Sequence, residues 1–259
     1  MTVSALLIMI SASALLAAFL ALWHKLRKMQ RQLHKADDRS IAHHHALFQQ
    51  LEALHGLYAE LAFEHSLPPT RGWAASPDFL LALARHARGA RPQVVVECSS
   101  GVSTLVLARC LQRNGAGKVY SLEHDAAYAN RTRTELHRLG LQDWAQVIDA
   151  PLRSYALDGD DYPWYDIDGI PPAIAIDLLV IDGPPQAMRS MARYPAGPLL
   201  FTALAPGAAV FLDDADRADE QLALQRWHAS FPALAVSSLP CEKGCTVLRS
   251  PLNDLPPAL

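Results

Sequence analysis

The sequence predicts an α/β fold. It would be a three-layer domain on a mostly parallel seven-stranded sheet with a C-terminal antiparallel hairpin, preceded by an N-terminal transmembrane helix and a helical stalk. Three observations carry that expectation. The apolar run Val94–Val96 ends in the acid Glu97 and the small-residue turn Cys98-Ser99-Ser100-Gly101; a helical pattern follows, then a second apolar run ending in Glu123. This strand–turn–helix–strand order opens many nucleotide-binding sheets, with a ligand's charged end at the turn and its ribose at the second acid. Strands and helices then alternate along the rest of the chain, and Thr2–Trp23 carries no charged residue.

At about 1.5 Å per residue, Thr2–Trp23 reaches about 33 Å as a helix, enough to cross a hydrocarbon core. Positive charge follows the apolar run (Lys25, Arg27, Lys28, Arg31, Lys35) instead of preceding it. That order argues for a single-pass anchor in the inner (cytoplasmic) membrane over a cleaved signal peptide, with the remainder in the cytoplasm. Residues 1–23 are therefore read as the anchor, 24–66 as a basic juxtamembrane segment and stalk, 67–250 as the ligand-binding domain and 251–259 as a tail. In the stalk Leu47, Leu51, Leu54, Tyr58 and Leu61 alternate by four and three, a seam suited to weak homodimer pairing or to packing on the chain's own domain. His43-His44-His45 point about 100° apart on a helix and cannot converge on one ion.

Within the domain the expected helices are Asp78–Arg88, Val102–Asn114, Ala126–Leu139, a short Leu199–Leu204 broken by Pro206-Gly207, and Asp219–Ser230. The expected strands are Gln93–Cys98, Lys118–Glu123, Ala145–Asp149, Asp177–Asp182 and Ala208–Leu212, closed by a pair, Ala233–Ser238 and Thr246–Arg249. Ala150–Ala175, rich in Asp, Gly and Pro, reads as a long loop around Trp164-Tyr165-Asp166, either a lid or simple packing.

A chain of 259 residues holds one sizeable core plus an appendage, and 51% hydrophobic against 19% charged residues excludes global disorder. The net charge is −3, and residues 24–39 alone carry six Lys/Arg against two Asp, so the rest stands at −7 and predicts no nucleic-acid partner. Cys98 and Cys110 fit the core as small hydrophobes. Cys241 and Cys245 fit a turn with two incidental thiols, because no second ligand pair completes a metal site.

Four segments in order, Val94–Thr104, Val119–Asp125, Asp177–Pro185 and Leu204–Asp214, resemble the class I S-adenosylmethionine-dependent methyltransferases. The likeness is closest to the bacterial subgroup with a Glu-x-Gly-Ser-Gly-x-Ser-Thr first turn and an Ile-Asp-Gly-Pro-Pro fourth strand, and it covers about Pro68 to Ser250. The resemblance implies a Rossmann-like domain with S-adenosyl-L-methionine as cofactor. Glu97, Ser99, Ser100, Gly101 and Ser103 would line its methionine end, and Glu123, followed by His124, would take both ribose hydroxyls. Asp149 or Ala150 would lie near the adenine, and Asp182 would face the methionine moiety or the acceptor. A carboxylate fixed at a strand end can accept two such hydrogen bonds, each worth about 1.5–3 kcal/mol. One departure stands out: Ser99 replaces the subgroup's first Gly, and its β-carbon either crowds the cofactor or forces an unusual backbone angle.

Transfer of a sulfonium methyl needs an aligned acceptor and, for a hydroxyl, a group to remove its proton. Asp182, Asp213 and Asp214 are the expected catalytic carboxylates. In some catechol-type relatives a comparable trio binds a divalent cation; here a metal-free site is preferred, with Asp182 turned to the cofactor and Asp213 or Asp214 capping the next helix. Arg193 and His228 read as helix-surface residues. The expected acceptor is a small molecule, a glycan or a membrane-associated compound, methylated on oxygen. Two other functions compete. A catalytically inactive, membrane-tethered interaction module is motivated by Ser99 and the stalk. An NAD-dependent oxidoreductase needs three glycines in Gly-x-Gly-x-x-Gly, of which Ser99–Thr104 supplies one.

Overall fold

In a computed structural model, which describes residues 3–252, the chain begins with one long helix, α1 (Val3–Leu61). It divides into two compact units, residues 1–49 and 50–259. In the first unit Ile8, Leu15, Leu16, Phe19 and Trp23 are exposed, and among the described residues α1 is the one helix long and apolar enough to cross a membrane. Two of its serines bond inside the helix, Ser11 Oγ to the Ile8 carbonyl (2.9 Å) and Ser13 Oγ to that of Met9 (2.8 Å), so neither needs water.

The second unit opens with the last turns of α1, which pack as part of the domain. Ala53, Leu57 and Leu61 are buried, while Leu51 is 62% exposed, so the apolar seam is rotated from the one expected. A polar clasp fixes that register: Gln50 donates to Asp78 Oδ2 (2.8 Å) and accepts from the Asp78 amide (3.2 Å). Arg109 donates to the carbonyls of Leu61 and Ala62, capping the helix where the expected stalk would have run on to residue 66.

Next come α2 (Pro77–Ala90), β1 (Val94–Cys98), α3 (Val102–Asn114), β2 (Lys118–Glu123), α4 (Ala126–Arg138) and β3 (Ala145–Asp149). The span expected as a long loop is instead a hairpin, β4 (Leu152–Leu157) and β5 (Asp160–Tyr165), paired antiparallel as a separate two-stranded sheet. The reason is apolar: Tyr162, Trp164 and Tyr165 are buried and pack with Val96, Cys98, Leu122, Ile148 and Ile181 on one face of the main sheet. After β6 (Ile176–Ile181) the chain forms α5 (Ala196–Leu200), ahead of the short helix expected at Leu199–Leu204, and a 3-10 turn over Phe201–Ala203. It continues through β7 (Leu204–Asp213), α6 (Ala218–Ser230), β8 (Ala235–Leu239) and β9 (Cys245–Arg249). Pro206-Gly207, expected as a break before the strand, lies inside β7 as an irregularity: β7 advances from Leu204 to Ala209 while β6 advances only from Ile176 to Leu178. Of the expected tail, residues 253–259 lie outside the described residues.

The sheet order is β3-β2-β1-β6-β7-β9-β8, parallel from β3 to β7, with β9 and β8 antiparallel. Helices α2, α3 and α4 join the end of α1 on one core, and α5, α6 and the hairpin build the other. The order reverses direction at β1, between β2 and β6, the crevice where ligands of such sheets bind.

Candidate active site

Register aligns the relevant strand ends. Cys98 pairs with Leu122 and Ile181, Glu123 with Asp149, and Ile181 with Leu212, so Ser99, Glu123, Asp149, Asp182 and Asp213 converge at one edge. The turn after β1 is tight. Ser99 donates its amide to Leu122 O (3.0 Å) and adopts φ +111°, an angle that favours glycine, so the substitution at this turn is expressed as backbone strain. Gly101, at φ +148°, donates to Thr104 Oγ1 (3.1 Å) and starts α3.

Glu97 lies beneath that turn. It is fully buried, and its Oε2 accepts from Thr104 Oγ1 and Ser121 Oγ (2.6 Å each), while Oε1 has no partner. Burial pushes its carboxyl up, and the hydroxyls of Ser103, Ser121 and Thr104 pull it back. Glu97 therefore braces the turn from behind.

Glu123, 4% exposed, reaches the turn directly: its Oε2 accepts from the Ser100 amide (3.0 Å) and Ser100 Oγ (2.9 Å), and its Oε1 from the Asp125 amide (3.1 Å). His124 Nδ1 lies 3.1 Å from Oε1, at ion-pair distance without hydrogen-bond alignment. Burial raises the Glu123 carboxyl, but His124, the Asp125 amide and Ser100 outweigh it and hold the group below its usual range; in return Glu123 raises His124. Asp125 caps α4 through the amides of Ala127 (2.8 Å) and Tyr128 (3.1 Å), which locks Glu123 and His124 at the strand end. Ala150 is buried, its amide on Glu123 O (2.7 Å), while the Asp149 side chain is 64% exposed and paired with Arg133 (2.8 Å).

At the other side of the crevice Asp182, Asp213 and Asp214 offer one carboxylate oxygen each within 4.8 Å of one another. Arg193, expected on a helix surface, is instead buried in the middle of this cluster. It donates to Asp214 Oδ2 (2.7 Å), Asp182 Oδ1 (3.3 Å) and the Asp213 carbonyl (2.7 Å), and Arg217 adds a second cation at Asp214 Oδ2 (2.9 Å). The correction has a physical cause: four acids, the trio and Glu220, are drawn to one place by the strand ends and α6, and a buried guanidinium offsets their repulsion. Both Asp213 oxygens and Asp214 Oδ1 have no partner. Burial, then Asp213, lifts the Asp182 carboxyl well above its usual range, against the pull of Arg193; burial, then Asp214, raises Asp213. Hard oxygen donors with unpartnered lone pairs suit a divalent cation, and the residues present fit one. Asp214 bonds Arg193 and Arg217 through its side chain and takes φ +55°, with its carbonyl accepting from the Arg217 amide; the cap expected of Asp213 or Asp214 is absent, since α6 has no side-chain N-cap bond.

Two residues escaped the sequence reading. Arg193 sits in an apolar stretch, Met191-Ala192-Arg193-Tyr194, where a lone charge signals a buried partner. Tyr165, read as part of a loop, packs edge-on against His124 with ring centroids 5.9 Å apart.

Residues 96–215 match the model of a family described as "Methyltransferase domain". No curated protein sequence matches the chain. Solved structures do. The O-methyltransferase TomG of Streptomyces achromogenes, in complex with SAM, is 16% identical at TM-score 0.52, over 78% of this chain and 89% of that one. Cofactor-bound Rv0187 from MTB is 20% identical at TM-score 0.53, over 80% and 90%. The SAH-bound methyltransferase PaMTH1 of Podospora anserina is 17% identical at TM-score 0.50, over 76% and 87%. Residues 96–215 are thus similar to a methyltransferase domain, and the chain shares the Rossmann-like fold of these structures.

Proposed function

We propose that the chain is an S-adenosylmethionine-dependent O-methyltransferase, held at the inner membrane by the first part of α1 with its domain in the cytoplasm. The observation that carries the cofactor assignment is Glu123: a carboxylate kept ionised, at the end of β2, touching the turn that follows β1. In this reading Ser99, Ser100, Gly101 and Ser103 surround the methionine end, with Glu97 bracing them from below. The two ribose hydroxyls replace the Ser100 hydroxyl on Glu123, beside His124, and the adenine lies by Asp149 and Ala150. The TomG and PaMTH1 neighbours, crystallised with SAM and SAH, support the choice of cofactor.

Asp182, Asp213 and Asp214 form the acceptor side. A divalent cation, if bound, would be held by these three carboxylates and would supply Lewis-acid polarisation of an acceptor oxygen. The chain's own groups do the rest. Asp182, at the end of β6, is the group that takes the acceptor's proton in its ionised form, and Arg193 holds Asp182 and Asp214 by one oxygen each. The acceptor reading, a small molecule, glycan or membrane-associated compound, follows from the tether and from the polar, acidic site.

Calorimetry on the full chain in detergent tests the assignment. S-adenosylmethionine should bind and NAD should not, and Glu123→Ala should weaken binding by about tenfold or more through loss of charge-assisted hydrogen bonds. Binding of neither compound favours the inactive module; unchanged affinity in Glu123→Ala removes that residue from the site.

A further inference from the structure

The hairpin β4–β5 does more than cover the sheet. Tyr165, at its end, is 1% exposed, and its hydroxyl reaches the start of the loop after β6. A β-carbon built on Gly183, just past β6, would collide with that hydroxyl and come within 3.1 Å of the Ser99 β-carbon and 3.2 Å of the Cys98 carbonyl. The hydroxyl thus rests on the Gly183 backbone, facing Ser99, and glycine is required there by close approach. The same ring lies against His124, next to Glu123.

Tyr165 therefore spans from the ribose side of the crevice to its methionine side. In the bound cofactor the atom joining those two halves is the sulfonium sulfur. The phenol is held neutral, because burial and the nearby Cys98, Glu123 and Asp182 push its ionisation well up, against Arg193. Among the described residues no group competes for its oxygen. The hairpin is also rigidly held: Arg189 stacks over Tyr162 at 3.7 Å, Tyr155 Oη donates to the Tyr165 carbonyl (3.2 Å), and Tyr194 Oη bonds Asp158.

We propose that the Tyr165 hydroxyl oxygen faces the sulfonium centre and its polarised methyl group, and so sets the preference for the charged cofactor over its neutral, demethylated product. This rests on the cofactor reading above. A fixed oxygen lone pair attracts the positive sulfonium and the acidified C–H bonds of its methyl, and neither is present in the thioether product.

The test is calorimetry of Tyr165→Phe with S-adenosylmethionine and, separately, with S-adenosylhomocysteine. Phenylalanine keeps the buried ring, and the thermal midpoint reports that the fold persists. The affinity for S-adenosylmethionine should fall about fivefold while that for the homocysteine compound changes less than twofold. Gly183→Ala, which displaces the same hydroxyl from across the crevice, should shift the ratio in the same direction and serves if the first variant fails to fold. Equal losses for both compounds, no change, or tighter binding of S-adenosylmethionine would each overturn the proposal. Wild-type protein that binds neither compound would instead overturn the cofactor reading itself, so the two failures are distinct.

Discussion

Ser99 holds φ +111° because the β1–α3 turn must place the Ser100 amide on Glu123 while the Ser99 amide bonds Leu122 O. A side chain at such an angle stores about 1–3 kcal/mol, whereas glycine gives back about 0.5–1 kcal/mol in chain entropy. Ser99→Gly should therefore raise the thermal midpoint by roughly 2–4 °C, the shift expected of about 1 kcal/mol in a domain of this size. A lower midpoint in a melting scan would show that the serine is stabilising through a contact of its own. The position of Glu123 was legible at this scale, since an acid closing the second apolar run needs only strand length to be placed. The burial of Glu97 was not: its position at a strand end suggests ligand contact, and only the hydroxyls of Thr104 and Ser121, from a helix and a neighbouring strand, turn it inward.

At the scale of elements, alternating apolar runs located every strand of the main sheet, because period and turn chemistry are local signals. The hairpin β4–β5 escaped for the opposite reason. Its segment is Asp-, Gly- and Pro-rich, and its strand character comes from Tyr162, Trp164 and Tyr165 finding an apolar sheet face far away in sequence. Arg193 was misplaced likewise, since its four acidic partners come from two strand ends and a helix start. That network makes a strong demand on β6, β7 and α6 together. Arg193→Met removes the shared cation and leaves buried carboxylates unpaired, which should cost about 3–5 kcal/mol of stability. Urea unfolding followed by tryptophan fluorescence measures it; a change below 1 kcal/mol would mean that the acids are already neutral in the fold.

Across the whole molecule, the division at residue 49 separates a helical segment with exposed apolar side chains from a domain whose first core begins at Ala53. The last turns of α1 belong to the domain through Gln50, Ala53, Leu57 and Leu61, a boundary hidden in a sequence that reads as unbroken helix. Removing residues 1–49 should therefore yield a folded protein that needs no detergent and retains cofactor affinity, whereas removal through residue 61 should destabilise it. Sedimentation and calorimetry on both truncations check this; aggregation of the shorter deletion would place the apolar segment inside the fold.

The account's central claim is that the turn after β1 and the acid closing β2 hold one adenosyl-bearing cofactor between them. A crystal structure grown with S-adenosylhomocysteine tests it most directly. The predicted result is density with both ribose hydroxyls on Glu123, the Ser100 hydroxyl turned away, and the homocysteine chain over Ser99–Gly101 beside Tyr165. A crevice that stays closed at saturating ligand, with Ser100 still bonded to Glu123, would contradict it.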